Sequence, residues 1–243
     1  MANLLGVKID TLDKASFLKE IGSFLQKSSK PGYVVKPNAE IVTYAQKDNQ
    51  FKKILNESFL SVPDGVGVLW AGRLLNLEIK DRIGDVSFMQ NLLSLAQKGG
   101  WKVFFLGGAS GTKKSLFARV EADFPKLKIV GFVDGYFKNS ALVVSQINQS
   151  RSDIVFVGLG FPKQEKWIYE NKDKLQVKLL VAEGGSFDFL SGQVQRAPVW
   201  VQKVGLEWLF RLVKQPARLP LLTYRRNWLS KSFAGSRKSG RKN

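Results

Sequence analysis

Short apolar runs alternate with amphipathic stretches along most of the chain. The clearest apolar runs, at 101–106 and 154–157, are of the kind that a parallel sheet buries on both faces. Between the runs, apolar residues recur every three or four positions, as they do on the buried face of a helix. Strands and helices that alternate in this way form βαβ units with right-handed crossovers. The sequence therefore predicts an α/β fold, Rossmann-like, with a parallel sheet flanked by helices.

The same pattern locates the individual elements. The predicted strands occupy residues 4–9, 33–35, 60–62, 101–106, 129–133, 154–157 and 179–182. The predicted helices occupy residues 14–26, 39–46, 51–57, 66–75, 86–97, 112–124, 141–148 and 166–174. In open α/β sheets, ligands bind at the edge where the strands end, so the turns that follow the strands are where chemistry is expected.

One of these turns carries a carboxylate. Residues 60–68 read Leu-Ser-Val-Pro-Asp-Gly-Val-Gly-Val, so that an apolar run ends at a Pro-Asp-Gly corner and a helix-like run follows. This corner places Asp64 at the mouth of a strand-to-helix turn. Because Pro, Asp and Gly are also ordinary turn residues, Asp64 taken alone fits either a functional carboxylate or a residue that only shapes the turn.

Two other turns are rich in glycine. Gly107 and Gly108 follow the run at 101–106, and a Gly-Leu-Gly sequence at 158–160 follows the run at 154–157. Backbone amides and a helix N-terminus at such a turn can bind phosphate. Neither turn completes the dinucleotide pattern GxGxxG or the P-loop pattern GxxxxGK[ST]. Tight turning and close packing are therefore the alternative explanation of these glycines.

The composition narrows the possible chemistry. The chain has no cysteine and no histidine, which excludes disulfides, thiolate nucleophiles, imidazole metal sites and Ser-His-Asp triads. There is also no Asp-x-Asp pair of the kind with which many sugar-nucleotide enzymes hold a divalent cation. Positive side chains would then have to neutralise a departing diphosphate, and Lys36 and Arg82 are candidates unless they are plain surface charges. We expect neither a metal nor a cofactor.

The net charge of +18 is unevenly distributed. Residues 196–243 hold 12 Lys and Arg and one acidic residue, which suggests an anionic partner such as membrane lipid, nucleic acid or a phosphorylated substrate.

We divide the chain into a catalytic domain at 1–195, a basic amphipathic helical appendage at 196–230 and a disordered basic tail at 231–243. With no leader-like N-terminus and no apolar run long enough to span a bilayer, the expected location is cytoplasmic, peripheral on the inner face of the membrane.

The basic C-terminal region leaves more than one function open. Its apolar and aromatic positions alternate with basic ones, as in segments that lie in the plane of a membrane surface. A C-terminal helix packed on the sheet, with its charges solvated, has the same pattern. A non-enzymatic alternative is a membrane- or nucleic-acid-binding basic protein with a non-catalytic nucleotide site, whose aromatic residues would stack on bases.

Eight short motifs occur in order along the chain. They are Pro-Asn-Ala-Glu at 37–40, Pro-Asp-Gly at 63–65, Leu-Gly-Gly at 106–108, Gly-Tyr-Phe at 135–137, Gly-Leu-Gly-x-Pro-Lys-Gln-Glu-Lys-Trp at 158–167, Gly-x-Phe-Asp-Phe-x-x-Gly at 185–192, Arg-Ala-Pro-x-Trp at 196–200 and Gly-Leu-Glu-Trp-Leu-Phe-Arg-Leu at 205–212. Over about residues 1–230, the chain resembles the WecG/TagA/CpsF family of bacterial glycosyltransferases.

The resemblance implies a Rossmann-like domain with a C-terminal appendage and a specific reaction. The reaction is an inverting, metal-independent transfer of a sugar from a UDP-sugar to a polyprenyl-diphosphate-linked sugar, in the synthesis of cell-surface polysaccharide or teichoic acid. The sugar is N-acetylmannosamine, its uronic acid or a related hexose. The implied partners are these two substrates and the anionic membrane surface, without nucleic acid, and a homo-oligomer is possible.

The resemblance also implies roles for residues at matching positions. Asp64 is the expected catalytic base. The expected contacts to sugar and phosphate are Lys36, Asn38, Arg82 and Gln164, with Arg218, Arg225 and Arg226 reaching the diphosphate from the appendage. The expected contacts on the nucleotide side are Gly107, Gly108, Tyr136 and Asp188.

The chain departs from the family pattern at two places. The family usually has Thr before Pro-Asn, where this chain has Lys36. If Lys36 faces the donor, its flexible positive charge would pair with a carboxylate of the sugar or with the diphosphate. The stretch after Arg82 is one residue shorter than the usual Arg-x-x-Gly-x-Asp. Both departures bear on which sugar is transferred rather than on the reaction.

Overall fold

Strands and helices alternate through the computed structural model, which describes residues 1–79, 81–84, 86–109, 111–192, 197–198, 201 and 210. The strands are β1 (Ala2–Leu4), β2 (Val7–Ile9), β3 (Gly32–Val35), β4 (Leu60–Ser61), β5 (Lys102–Gly107), β6 (Lys128–Val133), β7 (Ile154–Gly158) and β8 (Leu179–Ala182). The helices are α1 (Lys14–Lys27), α2 (Ala39–Ala45), α3 (Asn49–Asn56), α4 (Val66–Leu74), α5 (Val86–Gly99), α6 (Thr112–Asp123), α7 (Ser140–Ser150), α8 (Lys163–Asn171) and α9 (Ser186–Leu190), with a 3₁₀ turn at Lys172–Lys174.

Six of the strands form one parallel sheet in the order β4-β3-β8-β7-β5-β6. The central strands are aligned through Val34 opposite Val181, Val181 opposite Phe156, and Phe156 opposite Phe105. This sheet confirms the α/β fold predicted from the alternation of apolar runs and helical stretches. All its strands run the same way, so their carboxyl ends lie along one edge.

Helices cover both faces of the sheet. Successive strand residues point to opposite layers: Val34 packs in the layer of α1, α5, α6 and α9, whereas Tyr33 and Val35 pack in the layer of α2, α3, α7 and α8. The helix after β3 therefore leaves on one face, and the helix after the adjacent strand β8 leaves on the other. In open α/β sheets, such a reversal between neighbouring strands marks the place where ligands bind.

The predicted strand at 4–9 is wrong. The chain turns back at Leu5 and Gly6, so that β1 and β2 form a separate antiparallel pair. Both turn residues have positive φ, +53° and +83°, which a continuous strand does not allow. The amide of Gly6 also donates to the Asn3 side-chain oxygen at 2.7 Å, and this bond closes the turn. The remaining predicted strands are confirmed to within about two residues.

The turns that follow the strands are tied to one another by backbone hydrogen bonds. The Gly108 amide donates to the Gly158 carbonyl at 3.1 Å, and the Gly135 amide donates to the Gly108 carbonyl at 3.0 Å. At the other end of the sheet, the Asp64 amide donates to the Pro37 carbonyl at 3.0 Å. These bonds hold the turns in fixed positions relative to the sheet, so that the side chains at this edge are placed by the backbone.

Gly107 shows why one of the glycine-rich turns needs glycine. Its φ is +121°, and a methyl group added to its Cα would lie 2.3 Å from the Gly158 carbonyl oxygen. Close approach of two neighbouring strands therefore accounts for Gly107. A phosphate-binding role for the same turn stays a prediction.

We expect Gly107→Ala to lower the free energy of unfolding by about 3 kcal/mol, because it combines backbone strain with a collision against the next strand. Gly111→Ala is the matched control. Gly111 also has positive φ, +88°, but a methyl group added there would meet nothing within 4 Å, so a loss of about 1 kcal/mol is expected. Urea unfolding measures both, and equal losses would contradict the close-approach argument.

Candidate active site

Three adjacent strands of the sheet, β4, β3 and β8, place charged side chains at its carboxyl edge. Asp64 follows β4, Lys36 directly follows β3, and Glu183 directly follows β8. Asn38, two residues after Lys36, begins α2 and accepts a hydrogen bond from the Ile41 amide at 3.0 Å. Asn38 is thus the N-cap of α2, and this cap fixes the turn that carries Lys36.

Asp64 is half-buried and is covered by the segment that contains Arg82. The Gly84 amide donates to the Pro63 carbonyl at 3.0 Å, which holds this segment against the Asp64 turn. A methyl group added at Gly84 would lie 2.9 Å from the Asp64 Cβ and 3.3 Å from the Lys36 Cδ. Lys36 and Asp64 therefore lie on either side of Gly84 and close to each other. Arg82, two residues before Gly84 in the chain, is also half-buried.

Lys36 forms a buried ion pair that no motif of the sequence predicts. Its Nζ lies 2.5 Å from Oε2 of Glu183, and the two side chains are 10% and 0% exposed. The Ser186 hydroxyl donates to the same carboxylate oxygen. Lys36 therefore neutralises an internal carboxylate. A charged residue directly after the apolar run 179–182 was the sequence signal that could have identified Glu183.

Gln164 and Glu165 lie in the first turn of α8 and are both buried. The Gln164 amide side chain donates from Nε2 to Glu165 Oε1 at 2.9 Å. Its Oε1 points at the turn after β8, where a methyl group added at Gly184 would lie 2.6 Å away. The predicted site residue Gln164 is therefore beside the Lys36–Glu183 pair. Glu165 belongs to the same cluster.

Burial raises the pKa of the Glu165 carboxyl to about 7. The hydrogen bond from Gln164 and the positive charge of Lys36 act in the opposite direction, and the negative charge of Glu40 adds to the increase. The desolvation of a fully buried carboxylate outweighs the two opposing interactions and a further hydrogen bond from the backbone. Glu165 consequently exchanges its proton near neutral pH.

Three buried side-chain oxygens of this cluster accept no hydrogen bond from the described residues. They are Gln164 Oε1, Glu165 Oε2 and Glu183 Oε1. Buried polar atoms in native proteins nearly always have a partner, so these oxygens are suited to a ligand or water that donates hydrogen bonds. Sugar hydroxyl and amide groups are such donors. Within the described ranges, no three acidic side chains are arranged to hold a metal ion.

Of the predicted nucleotide-side residues, Gly107, Gly108 and Tyr136 lie toward the other half of the edge. Tyr136 follows β6, and 71% of its side chain is exposed. The Gly108 amide is already bonded to the Gly158 carbonyl, so it does not point outward as a phosphate donor would. Asp188 lies in α9, after the central strand β8. Five strand spacings, about 24 Å, separate β4 from β6, so Asp64 and Tyr136 mark opposite ends of the edge.

The three arginines predicted to reach the diphosphate, Arg218, Arg225 and Arg226, lie outside the described residues. Of the positions that the structure describes at 197–201, Ala197 and Val201 are buried and Pro198 is exposed. No helix in the part of the chain that the structure describes is long and apolar enough to cross a membrane.

A family profile matches this chain almost throughout. The family is described as "Glycosyl transferase WecG/TagA/CpsF family", and the match covers residues 2–230. The chain belongs to this glycosyltransferase family. The resemblance inferred from the eight motifs is confirmed, and so is the assignment as an enzyme. Membership argues against the alternative of a non-enzymatic basic binding protein.

Curated relatives agree with this assignment. The chain is 34% identical over 210 residues to a protein of Bacillus subtilis (strain 168), which covers 86% of this chain and 78% of that one. It is 33% identical to a protein of Bacillus spizizenii, and the match covers 87% of this chain and 83% of that one. It is 29% identical to a protein of Staphylococcus aureus (strain MRSA252), and the match covers 86% of this chain and 83% of that one. Each is named N-acetylglucosaminyldiphosphoundecaprenol N-acetyl-beta-D-mannosaminyltransferase.

We expect Glu165→Gln to stabilise the glycosyltransferase at high pH but not at low pH. The pKa of Glu165 is about 7 in the folded protein and 4.5 ordinarily, so the wild type loses stability as pH rises from about 4.5 through 7. Gln carries no charge and avoids this loss, which amounts to up to about 3 kcal/mol. Urea unfolding at several pH values measures the difference.

The matched control for this prediction is Glu170→Gln. Glu170 lies on the same helix but is exposed. Its replacement should change the free energy of unfolding little, because the side chain is exposed. A gain for Glu165→Gln that does not grow between pH 5 and pH 8 would contradict the raised pKa.

Proposed function

We propose that this enzyme transfers a hexose from a UDP-sugar to a polyprenyl-diphosphate-linked sugar, with inversion at the anomeric carbon and without a metal. The observation that carries the proposal is the buried acceptor cluster beside Asp64, in a chain of this family. The relatives' shared name supports N-acetylmannosamine as the hexose and N-acetylglucosaminyl-diphosphoundecaprenol as the acceptor. The product would serve cell-surface polysaccharide or teichoic acid synthesis.

Asp64 is the proposed general base. It accepts the proton of the acceptor hydroxyl as that oxygen forms a bond to the anomeric carbon. The bond from this carbon to the diphosphate oxygen breaks on the opposite face, and UDP leaves with the electron pair. A positioned base typically contributes a factor of about 10²–10⁴ to such a step. Asp64 lies half-buried at the carboxyl edge of the sheet, where ligands bind in open α/β folds.

The charge that develops on the departing diphosphate needs cationic partners. Lys36 already compensates Glu183, so Arg82 and the appendage residues Arg218, Arg225 and Arg226 are the proposed partners. Arginine suits this role because its planar group donates two parallel hydrogen bonds to phosphate oxygens. Asn38 and Gln164 are proposed to bind hydroxyl groups of the sugar.

The uridine end of the donor is proposed to lie toward the glycine-rich turns, where Gly107 and Gly108 shape the edge. Tyr136 has an exposed ring on which a base can stack. Asp188 lies in α9, the helix that follows the central strand β8. This arrangement orients the donor along the edge with its sugar at the β4, β3 and β8 ends. The two groups of predicted residues then contact opposite ends of one substrate.

The acceptor is held in a membrane by its polyprenyl chain, so the enzyme is proposed to work on the inner face of the cell membrane. The basic appendage would hold it there through anionic headgroups, each Lys or Arg near the surface contributing about 1 kcal/mol at most. In the same region the arginines would meet the diphosphate. Donor, acceptor and membrane surface are the proposed partners.

We expect Asp64→Asn to reduce kcat by about 10²–10⁴ and to leave UDP binding and stability intact, because the amide cannot accept the proton. The measurement is UDP release with a polyprenyl-diphosphate acceptor, alongside calorimetry with UDP. Asp173→Asn is the control, since that side chain lies in the 3₁₀ turn after α8 and is 83% exposed. Near-normal turnover of Asp64→Asn would exclude Asp64 as the base.

We expect a chain cut after Val201 to stay folded and bind UDP but to lose both vesicle binding and sugar transfer. The cut is placed there because the side chains of Ala197 and Val201 are buried. In the full chain, Arg218→Ala, Arg225→Ala and Arg226→Ala should lower turnover more than affinity for anionic vesicles if the guanidinium meets the diphosphate. Transfer by the shortened chain at the full rate would disprove both roles of the region.

A further inference from the structure

The Lys36–Glu183 pair differs from the other ion pairs among the described residues. Lys53 and Glu57, for comparison, are 3.6 Å apart with side chains 65% and 44% exposed. Lys36 and Glu183 are 2.5 Å apart and almost fully buried. Removing two charges from water costs free energy that their attraction does not always return, so a buried pair is weak evidence for a stabilising role. A role in recognition is the better explanation at the edge of a binding site.

The pair lies where the proposed donor sugar sits. A methyl group added at Gly84 would touch both Lys36 and Asp64, so the lysine lies beside the proposed base. Glu183 directly precedes Gly184, and Gln164 Oε1 packs against Gly184. The two residues leave adjacent parallel strands at the same height, because Val34 is aligned with Val181 and each strand continues two residues to the pair. The carboxylate and the ammonium group therefore meet across one strand spacing, beside the proposed base.

The positive charge of Lys36 is already compensated by neighbouring acidic groups, so it is not available to attract an anionic ligand. Glu183 compensates Lys36 at contact distance, with a second hydrogen bond from the Ser186 hydroxyl. Glu40 adds negative charge close by, and Glu165, with a pKa of about 7, is only partly ionised at neutral pH. Asp64 contributes another carboxylate. A sugar that carried its own carboxylate would meet these acidic groups, whereas hydroxyl and amide groups would find acceptor oxygens.

We propose that Glu183 is a specificity-determining residue: by holding Lys36 in an internal ion pair, it restricts the enzyme to donors whose hexose is uncharged and disfavours the corresponding uronic acids. This inference rests on the proposed function, because it requires that the donor sugar lie beside Asp64. It also gives a physical meaning to Lys36 at a position where the family usually has threonine. Glu183 compensates the charge of Lys36, so the lysine does not bind a carboxylate of the donor sugar.

Two donors that differ only at C6 provide the test: UDP-N-acetylmannosamine and UDP-N-acetylmannosaminuronic acid. With the wild-type enzyme and a polyprenyl-diphosphate N-acetylglucosamine acceptor, kcat/KM should favour the neutral donor by about tenfold or more. Glu183→Gln keeps the shape and releases the charge of Lys36, so it should shift this ratio toward the uronic acid by about tenfold, mainly through KM. Lys36→Gln removes the positive charge altogether, so it should not shift the ratio toward the uronic acid.

A shift toward the uronic acid in Glu183→Gln that is absent from Lys36→Gln is the decisive result, because a purely structural role would weaken both donors alike. A wild-type enzyme that uses the uronic acid as well as the neutral donor would overturn the proposal, and so would shifts of the same sign. If either variant fails to fold, the wild-type ratio and the remaining variant still decide. If neither donor is transferred, the proposed function fails, and calorimetric affinities of the two UDP-sugars for the wild type then test donor selectivity separately.

Discussion

Coverage of the parallel sheet on both faces is the constraint from which the rest of this structure follows. The strands β3, β5, β7 and β8 bury nearly every side chain, so they have no room for charges along their length. Polar groups can appear only where a strand ends and a turn begins. Because all six strands are parallel, those turns lie along one edge, and the chemistry of the protein is concentrated there.

The two halves of that edge are under different physical constraints: close backbone contact in one half and buried charge in the other. At the ends of β5 and β7 the backbones come so close that Gly107 has no space for a side chain. At the ends of β4, β3 and β8, carboxylate, ammonium and amide groups are packed together, and several are buried. Charged groups in such a place must compensate one another, as Lys36 and Glu183 do, or take up a proton, as the raised pKa of Glu165 indicates.

Both responses to burial are relevant to a sugar-transferring enzyme. A substrate rich in hydroxyl groups supplies the hydrogen-bond donors that the buried oxygens of Gln164, Glu165 and Glu183 can accept. A strongly basic chain would be expected to offer its substrate free cations, yet the lysine nearest Asp64 is already compensated. The net charge of a chain thus says little about the charge of its site, which depends on how individual groups are paired.

The sequence by itself determined the α/β fold, most element boundaries, the position of Asp64 at a strand end and membership of the family. Apolar periodicity and short motifs carry this information because they are local in the chain. Only the tertiary structure decided that residues 4–9 turn back, that Gly107 is needed for close approach, and that Lys36 pairs with Glu183, which lies 147 positions away. Pairing and burial depend on which strands become neighbours, and no local pattern specifies that.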